Sequence, residues 1–165
     1  MPEGRVRRAV AGDAATIAAI WNIAIRETLI TFNPVEKTVD EVQAILSERD
    51  ASGHATFVAE ADGTVVGFAS YGPFRGGAGY AHTVEHSIML APAARGLGLG
   101  RGLMQAIEDH ARGGGAHSIF AGVSGANPEG RAFHAAMGYV EIACLPEVGF
   151  KWGRWLDLYL MQKRL

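Results

Sequence analysis

Thr83-Val84-Glu85-His86-Ser87-Ile88-Met89-Leu90, followed by Ala91 to Ala94 and then Arg95-Gly96-Leu97-Gly98-Leu99-Gly100-Arg101, is the stretch whose reading decides the fold of this 165-residue chain. Its first half mixes a few polar residues with β-branched and apolar ones, the pattern of a strand. Its second half is a glycine-rich turn. After it, Leu99, Leu103, Ala106, Ile107, His110 and Ala111 recur at helical spacing and predict a helix starting near Leu97. Strand, glycine turn and helix in that order outline a phosphate cradle. Glycines let the backbone approach an anion closely, and the first-turn N–H groups face it with the positive end of the helix dipole behind them. Glycine turns also make plain connections, so the residues of the turn have to discriminate.

Two phosphate-binding fingerprints fail. A Walker loop needs Gly-Lys-Ser or Gly-Lys-Thr, and the chain has Gly100-Arg101-Gly102. A dinucleotide G-x-G-x-x-G meets Leu103 in one register and Arg101 in the other. What fits is R-x-x-G-x-G on Arg95, Gly98 and Gly100, after a strand carrying an acid. On these residues the chain resembles the GCN5-related N-acetyltransferases, where this turn holds the pyrophosphate of acetyl-coenzyme A. The resemblance implies a coenzyme site on Arg95, Gly96, Leu97, Gly98, Leu99, Gly100, Arg101 and Asn127, and no metal. The backbone of Ile88, Met89 and Leu90 would pair with the pantetheine arm like an added strand, one N–H polarising the thioester carbonyl.

Composition sets the outer bounds. The length suits one domain over residues 1–165, and 48% hydrophobic with 19% charged residues is globular rather than disordered. A net charge of −2 without a polybasic run gives no reason to expect a nucleic-acid or membrane partner. Cys144 is the only cysteine, which excludes an internal disulfide and fits a reducing, cytoplasmic setting. Its neighbours Ile142, Ala143 and Leu145 predict a buried structural thiol. No stretch reaches the ~18 apolar residues of a membrane span. The start, Met1-Pro2-Glu3-Gly4 and then Arg5 to Val10, lacks the apolar region of a signal peptide.

Taken in order, Val6 to Val10 reads as a first strand, and Asp13 as the N-cap of a helix through Ile17, Ile20, Trp21, Ala24 and Ile25 that ends near Thr28. Thr38 with Glu41 is a capping box for a second helix, which Gly53 ends. Two apolar runs meet at Asp62-Gly63, a hairpin signal. Phe74 to Gly79 is a loop before the central strand. Gly113-Gly114-Gly115 stops the helix after the cradle. His117 to Val123 is a buried strand, Asn127-Pro128 opens a short helix ended by Gly138, and Tyr139–Leu145 and Leu156–Met161 are the last strands. The order β-α-α-β-β-β-α-β-α-β-β argues for one mixed α/β layer structure. It also matches the acetyltransferase fold: a central, mixed, mostly antiparallel twisted sheet with helices on both faces.

Amide formation from a thioester needs a base for the amine and a proton for the departing thiolate. Glu85 is the candidate base, since enclosure raises a carboxyl pKa towards neutrality. His82-Thr83-Val84-Glu85-His86 also spells H-x-x-E-H, a zinc-hydrolase motif. That chemistry needs a helix, where such histidines stand about 6 Å apart. In a strand they are roughly 13 Å apart, and the strand is favoured here. In many relatives of this superfamily the helix opened by Asn carries a tyrosine seven residues on, facing the sulfur. This chain has His134 there, an assisting acid or base titrating near pH ~6.5.

That departure narrows the resemblance. Glu85-His86-Ser87-Ile88, Arg131 to Tyr139, and the tail Val148-Gly149-Phe150-Lys151-Trp152-Gly153-Arg154-Trp155-Leu156-Asp157 resemble the phosphinothricin acetyltransferase group. So do Thr28 to Asn33 and Ala69 to Arg75. The resemblance implies acetylation of the α-amine of phosphinothricin, methionine sulfoximine or methionine sulfone, and a homodimer. A carboxylate-bearing acceptor needs paired donors, for which Arg75, Lys151 and Arg154 are available, with Phe32, Phe74, Trp152 and Trp155 as possible walls. The rivals are a peptide N-terminus or polyamine as acceptor, the latter disfavoured by those cations, and a non-catalytic acyl-coenzyme A sensor.

Overall fold

The computed structural model describes residues 3–165; Met1 and Pro2, where the N-terminal reading began, lie outside the described residues. The strands are β1 (Gly4–Arg8), β2 (Thr56–Ala61), β3 (Thr64–Pro73), β4 (Thr83–Leu90), β5 (Ser118–Ser124), β6 (Val140–Lys151) and β7 (Arg154–Arg164). They form one sheet in the order β1-β2-β3-β4-β5-β7-β6. All neighbours are antiparallel except β4 and β5. The helices are α1 (Ala14–Glu27), α2 (Val39–Ala51), α3 (Leu99–Gly113) and α4 (Pro128–Ala136). The element order and the two-faced, mixed sheet agree with the sequence reading. Among the described residues, no helix is long and apolar enough to cross a membrane.

Two cores sit on opposite faces, and the alternation of β4 divides its side chains between them. Val84 and, further along, Ile88 pack with Leu103, Met104 and Ile107 of α3. Met89 points the other way, to Val58, Phe68 and the buried faces of α1 and α2. The bare face of Gly67 lets α3 approach β3: a Cβ there would lie 2.5 Å from Leu90 Cδ2 and 3.6 Å from Leu103 Cδ1.

Several local signals act as expected. Thr38 Oγ1 accepts from Glu41 N–H at 3.1 Å, and Asn127 Oδ1 from Gly130 N–H at 3.0 Å. Asp62 and Gly63, with φ of 50° and 79°, turn the β2–β3 hairpin.

Four expectations need correction. Asp13 does not cap α1 with its side chain. Its carboxylate accepts from Arg7 Nη1 at 2.8 Å and Nη2 at 2.9 Å and from Val10 N–H at 2.8 Å, tying β1 to the start of α1. The cradle helix begins at Leu99 rather than Leu97, because Gly98 at φ 72° is the left-handed residue before it. Strands β6 and β7 run further towards each other than expected and meet at Trp152 (φ 53°) and Gly153 (φ 73°). Cys144 is exposed, not buried. It lies on β6, the edge strand, where apolar neighbours such as Ile142, 55% exposed, have nothing packed over them.

Leu103 is fully buried where α3 meets the sheet. Leu103→Ala is expected to lower stability by about 2–5 kcal/mol, read from the urea unfolding midpoint, because this site is too tightly packed to collapse around the lost atoms.

Candidate active site

Strands β4 and β5 pair only from Thr83↔Ser118 to His86↔Ala121. Past that point β5 continues against β7, with Gly122 opposite Leu160, while β4 continues against β3, with Ile88 opposite Ala69. The strands diverge. A cavity of about 560 Å³ opens between Ser87–Leu90 on one side and Ala121–Val123 on the other. Among the described residues, no strand pairs with the edge of Ile88–Leu90 that faces this cleft, so its backbone groups are open to an extended ligand.

At one end of the cleft lie Arg95 and Gly96. Gly96 and Gly98 take φ of 78° and 72°, the region in which a Cβ is costly. The first intrahelical bond of α3 at its start runs from Gly102 N–H to Gly98 O, 3.2 Å, and no side chain caps the N-terminus. The N–H groups before Gly102 therefore lack intrahelical partners. Across the cleft stand Asn127 and Gly130; a Cβ on Gly130 would lie 2.3 Å from Asn127 Nδ2. An unpaired strand edge leading towards open, dipole-backed N–H groups fits a long molecule with a pyrophosphate. Ile88, Met89, Leu90, Arg95, Gly96 and Asn127 line the cleft itself; Leu97, Gly98, Leu99, Gly100 and Arg101 form the turn and helix start behind it. Leu99 is buried and serves packing through its side chain.

Glu85 follows Val84 on β4 and points to the α1–α2 face. A Cβ on Gly122 would lie 3.7 Å from Glu85 Oε2, so the carboxylate stands over the first β5 residue past the end of pairing. Burial pushes the Glu85 carboxyl up from its ordinary value, and the Arg49 cation pulls against that shift. The Arg49 guanidinium lies on the bare face of Gly72, where a Cβ would meet Nη1 at 1.3 Å, and Gly72 is the β3 partner of Glu85. Sequence reasoning missed Arg49; it reaches Glu85 from the end of α2, with no local signal to mark it.

His86 points to the other face and meets His134 of α4. Both rings are buried and line the cavity, their planes 24° apart, their centroids 5.1 Å apart and Nε2 to Nε2 at 3.2 Å. His134 Nδ1 is 2.7 Å from the Gly130 carbonyl. Burial holds both imidazoles below their ordinary pKa, His86 down to about 3. The two proposed catalytic side chains, Glu85 and His134, thus approach from opposite faces of the sheet. His82, the other histidine of H-x-x-E-H, lies outside β4 and contacts the Gly115 carbonyl through Nδ1 at 2.9 Å. Among the described residues, no cluster could hold a metal ion.

The expected acceptor-side residues are divided. Phe32 lines the cavity and packs on Gly149, whose Cβ would lie 2.5 Å from the ring. Phe74 stacks on Phe120 at 4.6 Å, next to Glu85 in the sheet. Arg75 is exposed, with its guanidinium 5.8 Å from the Tyr80 ring centre. Lys151 is a correction. It is 1% exposed, and its Nζ donates to the carbonyls of Thr28 at 2.7 Å and Thr31 at 3.0 Å, so it holds the α1–α2 loop instead of offering its donors to a carboxylate. Arg154 is exposed and lines a separate groove of about 230 Å³ with Glu147 and Asp157.

Two outcomes follow from this geometry. Lys151→Met leaves two carbonyls without a donor and is expected to cost about 1.5–3 kcal/mol in chemical denaturation, with a raised KM for the acceptor amine. His86, depressed in the folded state, binds fewer protons there than in the unfolded chain. Its contribution is intact above pH 6.5 and is lost as pH falls towards 3, with a limiting slope of about 1.4 kcal/mol per pH unit. Urea midpoints between pH 7.5 and 4 should fall less steeply in His86→Phe than in wild type.

Comparison with known proteins shows the family. The family model described as Acetyltransferase (GNAT) family matches residues 17–139. The L-amino acid N-acyltransferase MnaT of Escherichia coli strain K12 is 39% identical over 97% of this chain and 93% of its own length. An L-methionine sulfoximine/L-methionine sulfone acetyltransferase of Salmonella typhimurium is 38% identical over 97% of this chain and 94% of its own. The crystal structure of a phosphinothricin acetyltransferase from Sinorhizobium meliloti in complex with AcCoA superposes with a TM-score of 0.93 at 32% identity, covering 98% of this chain and 88% of that one. With that match over most of its length, a cleft where its parallel strands part and an open glycine turn beyond it, the chain belongs to the GNAT family of acetyltransferases.

Proposed function

We propose that the chain is an acetyl-coenzyme A-dependent N-acetyltransferase that acts by direct transfer on the α-amine of small amino-acid analogues of the methionine sulfone, methionine sulfoximine or phosphinothricin type. The observation that carries this reading is the carboxylate of Glu85 standing over Gly122, where β4 and β5 part. The relatives named for L-amino acids and for methionine sulfoximine support the acceptor class.

When bound, the coenzyme supplies an acetyl thioester as electrophile. Arg95 to Arg101 and Asn127 would hold its phosphate-bearing part, and the open edge of Ile88–Leu90 its extended arm, with one N–H there available to the thioester oxygen. Glu85 takes a proton from the attacking amine as the C–N bond forms; the C–S bond breaks and coenzyme A leaves as its thiolate, which takes its proton from solvent. Its raised pKa suits it to that task at neutral pH. Phe32 walls the acceptor side, and Phe74 and Arg75 lie on the loop that leads into β4. With Lys151 spent on the α1–α2 loop and Arg154 in the β6–β7 turn, Arg75 is the one of the three expected cations left on that side. A cytoplasmic homodimer is part of the same proposal. The outward aromatics Phe150, Trp152 and Trp155, each more than half exposed, support a second copy, and the single cysteine suits a reducing compartment.

The test is free-thiol release from acetyl-coenzyme A against methionine sulfone, methionine sulfoximine, phosphinothricin, spermidine and short peptides, with Glu85→Gln in parallel. Turnover confined to the amino-acid analogues, falling about 10²–10⁴-fold in the variant, is the expected result. The acidic limb of kcat/KM should lie above pH 4.5, because the ionised, proton-accepting form of Glu85 is lost as pH falls through its raised pKa. Turnover only on spermidine or peptides would overturn the acceptor class.

A further inference from the structure

We infer that His86 is a positioning residue for His134: it donates its Nε2 proton to His134 Nε2 and, with the Gly130 carbonyl, fixes His134 as the neutral Nδ1–H tautomer. The argument is one of counting protons. A carbonyl oxygen only accepts, so the 2.7 Å contact to Gly130 requires a proton on His134 Nδ1. A neutral imidazole carries one proton, so His134 Nε2 is then a bare lone pair. The 3.2 Å contact between the two Nε2 atoms needs one proton between them, and it must be His86's. That leaves His86 Nδ1 bare, and it is a buried nitrogen without a hydrogen-bond partner.

The same unpartnered atom keeps the pair neutral. A second proton on either ring would make both His134 nitrogens donors, or both His86 nitrogens donors. Either way an N–H would stand at His86 Nδ1, which has no partner in hydrogen-bond geometry; the Ser87 backbone favours a proton on this ring, but burial opposes it more strongly. The charged and titratable groups around the pair do not relieve this. Glu108 of α3 acts on His134 by its charge, but its carboxylate is held by Lys163 of β7 and by the Tyr139 hydroxyl at 3.3 Å, and Glu129 lines the cavity without a hydrogen bond to either ring. Lys163 also donates to the Met137 carbonyl at 2.9 Å. The Tyr139 and Phe133 rings pack edge-on against His134. Glu85 is on the opposite face of β4. Burial lowers both histidine pKa values, in the same sense.

For its bearing on catalysis this inference rests on the acetyltransferase reading; the tautomer itself does not. Both His134 nitrogens are engaged, so while the His86 bond holds, His134 presents the cleft with neither a free lone pair nor an acidic proton. Its part is that of an oriented neutral ring, and proton traffic falls to Glu85 alone.

The experiment is long-range proton–nitrogen NMR of the uniformly ¹⁵N-labelled protein between pH 6 and 8. Expected are His134 protonated on Nδ1 and His86 on Nε2 throughout, with His134 Nε2 carrying the shift of a lone pair that accepts a hydrogen bond. His86→Phe should move that shift to that of a bare lone pair, and His86→Gln, which keeps an N–H donor at a similar reach, should restore it. An imidazolium at pH 7, a proton on His134 Nε2, or a His134 Nε2 shift indifferent to His86→Phe overturns the proposal. These resonances are read without substrate, so an inactive protein would fail the functional reading and leave the tautomer result standing. In an active one, the acidic limb of kcat/KM should show one ionisation; a second that disappears in His134→Gln would also overturn it.

Discussion

Everything at the site depends on where the parallel β4–β5 ladder stops. Four residue pairs hold the strands together, and then each strand follows a different neighbour. A sheet interior is normally the place where every backbone group is satisfied. Here the interior itself yields an edge on β4, at the bottom of a cavity and protected from other chains. An edge in that position is useful because only a ligand that fits the cleft can reach it. Gly122 sits at the parting point with no side chain on the face where Glu85 reaches across, so the acid stands at the apex of the opening.

The sheet also separates two kinds of electrostatics. On the α1–α2 face, Glu85 is half-buried with a cation, Arg49, near enough to matter but without a hydrogen-bonded ion pair. Burial raises the carboxyl pKa, the cation holds that rise back, and the carboxylate is not locked into a bridge. On the α3–α4 face, two imidazoles satisfy one another and a backbone carbonyl, and carry no charge. Further in, the charges of Glu108 and Lys163 cancel locally. A neutral pair avoids the several kcal/mol that an isolated buried charge would cost.

Much of this was legible in the residues and some was not, for definite reasons. The glycine turn, the caps at Thr38 and Asn127 and the Asp62-Gly63 hairpin are local, and local signals carry through. The helix start moved by two residues because a left-handed glycine outweighs the apolar periodicity just before it. Lys151 and Cys144 misled for opposite reasons. A lysine in an aromatic tail reads as a surface cation, yet tertiary contacts bury it against Thr28 and Thr31 from the far end of the chain. A cysteine between apolar neighbours reads as core, yet it lies on an edge strand. Arg49 escaped notice and His86 was read only as a motif residue, because their meaning depends on β3 and α4, which sequence proximity does not reveal. The alternation along β4 did offer a clue: it puts His86 on the face of Val84 and Ile88, opposite Glu85.

The parting of β4 from β5 has a bearing on how the chain folds. Strands β2, β3 and β4 follow one another through hairpin connections, and β6 and β7 form a hairpin of their own. The β4–β5 ladder is the one parallel ladder described, and in it Thr83 meets Ser118 only after the whole of α3 has crossed over. Non-local pairing of this sort carries a larger loop-closure entropy than a hairpin and has few hydrogen bonds to offset it. The seam is therefore one of the costlier joints of the sheet to close. A molecule lying along it gives the strands there additional backbone partners, so the substrate-binding groove doubles as the place where the domain's cooperativity can be strengthened by what it binds.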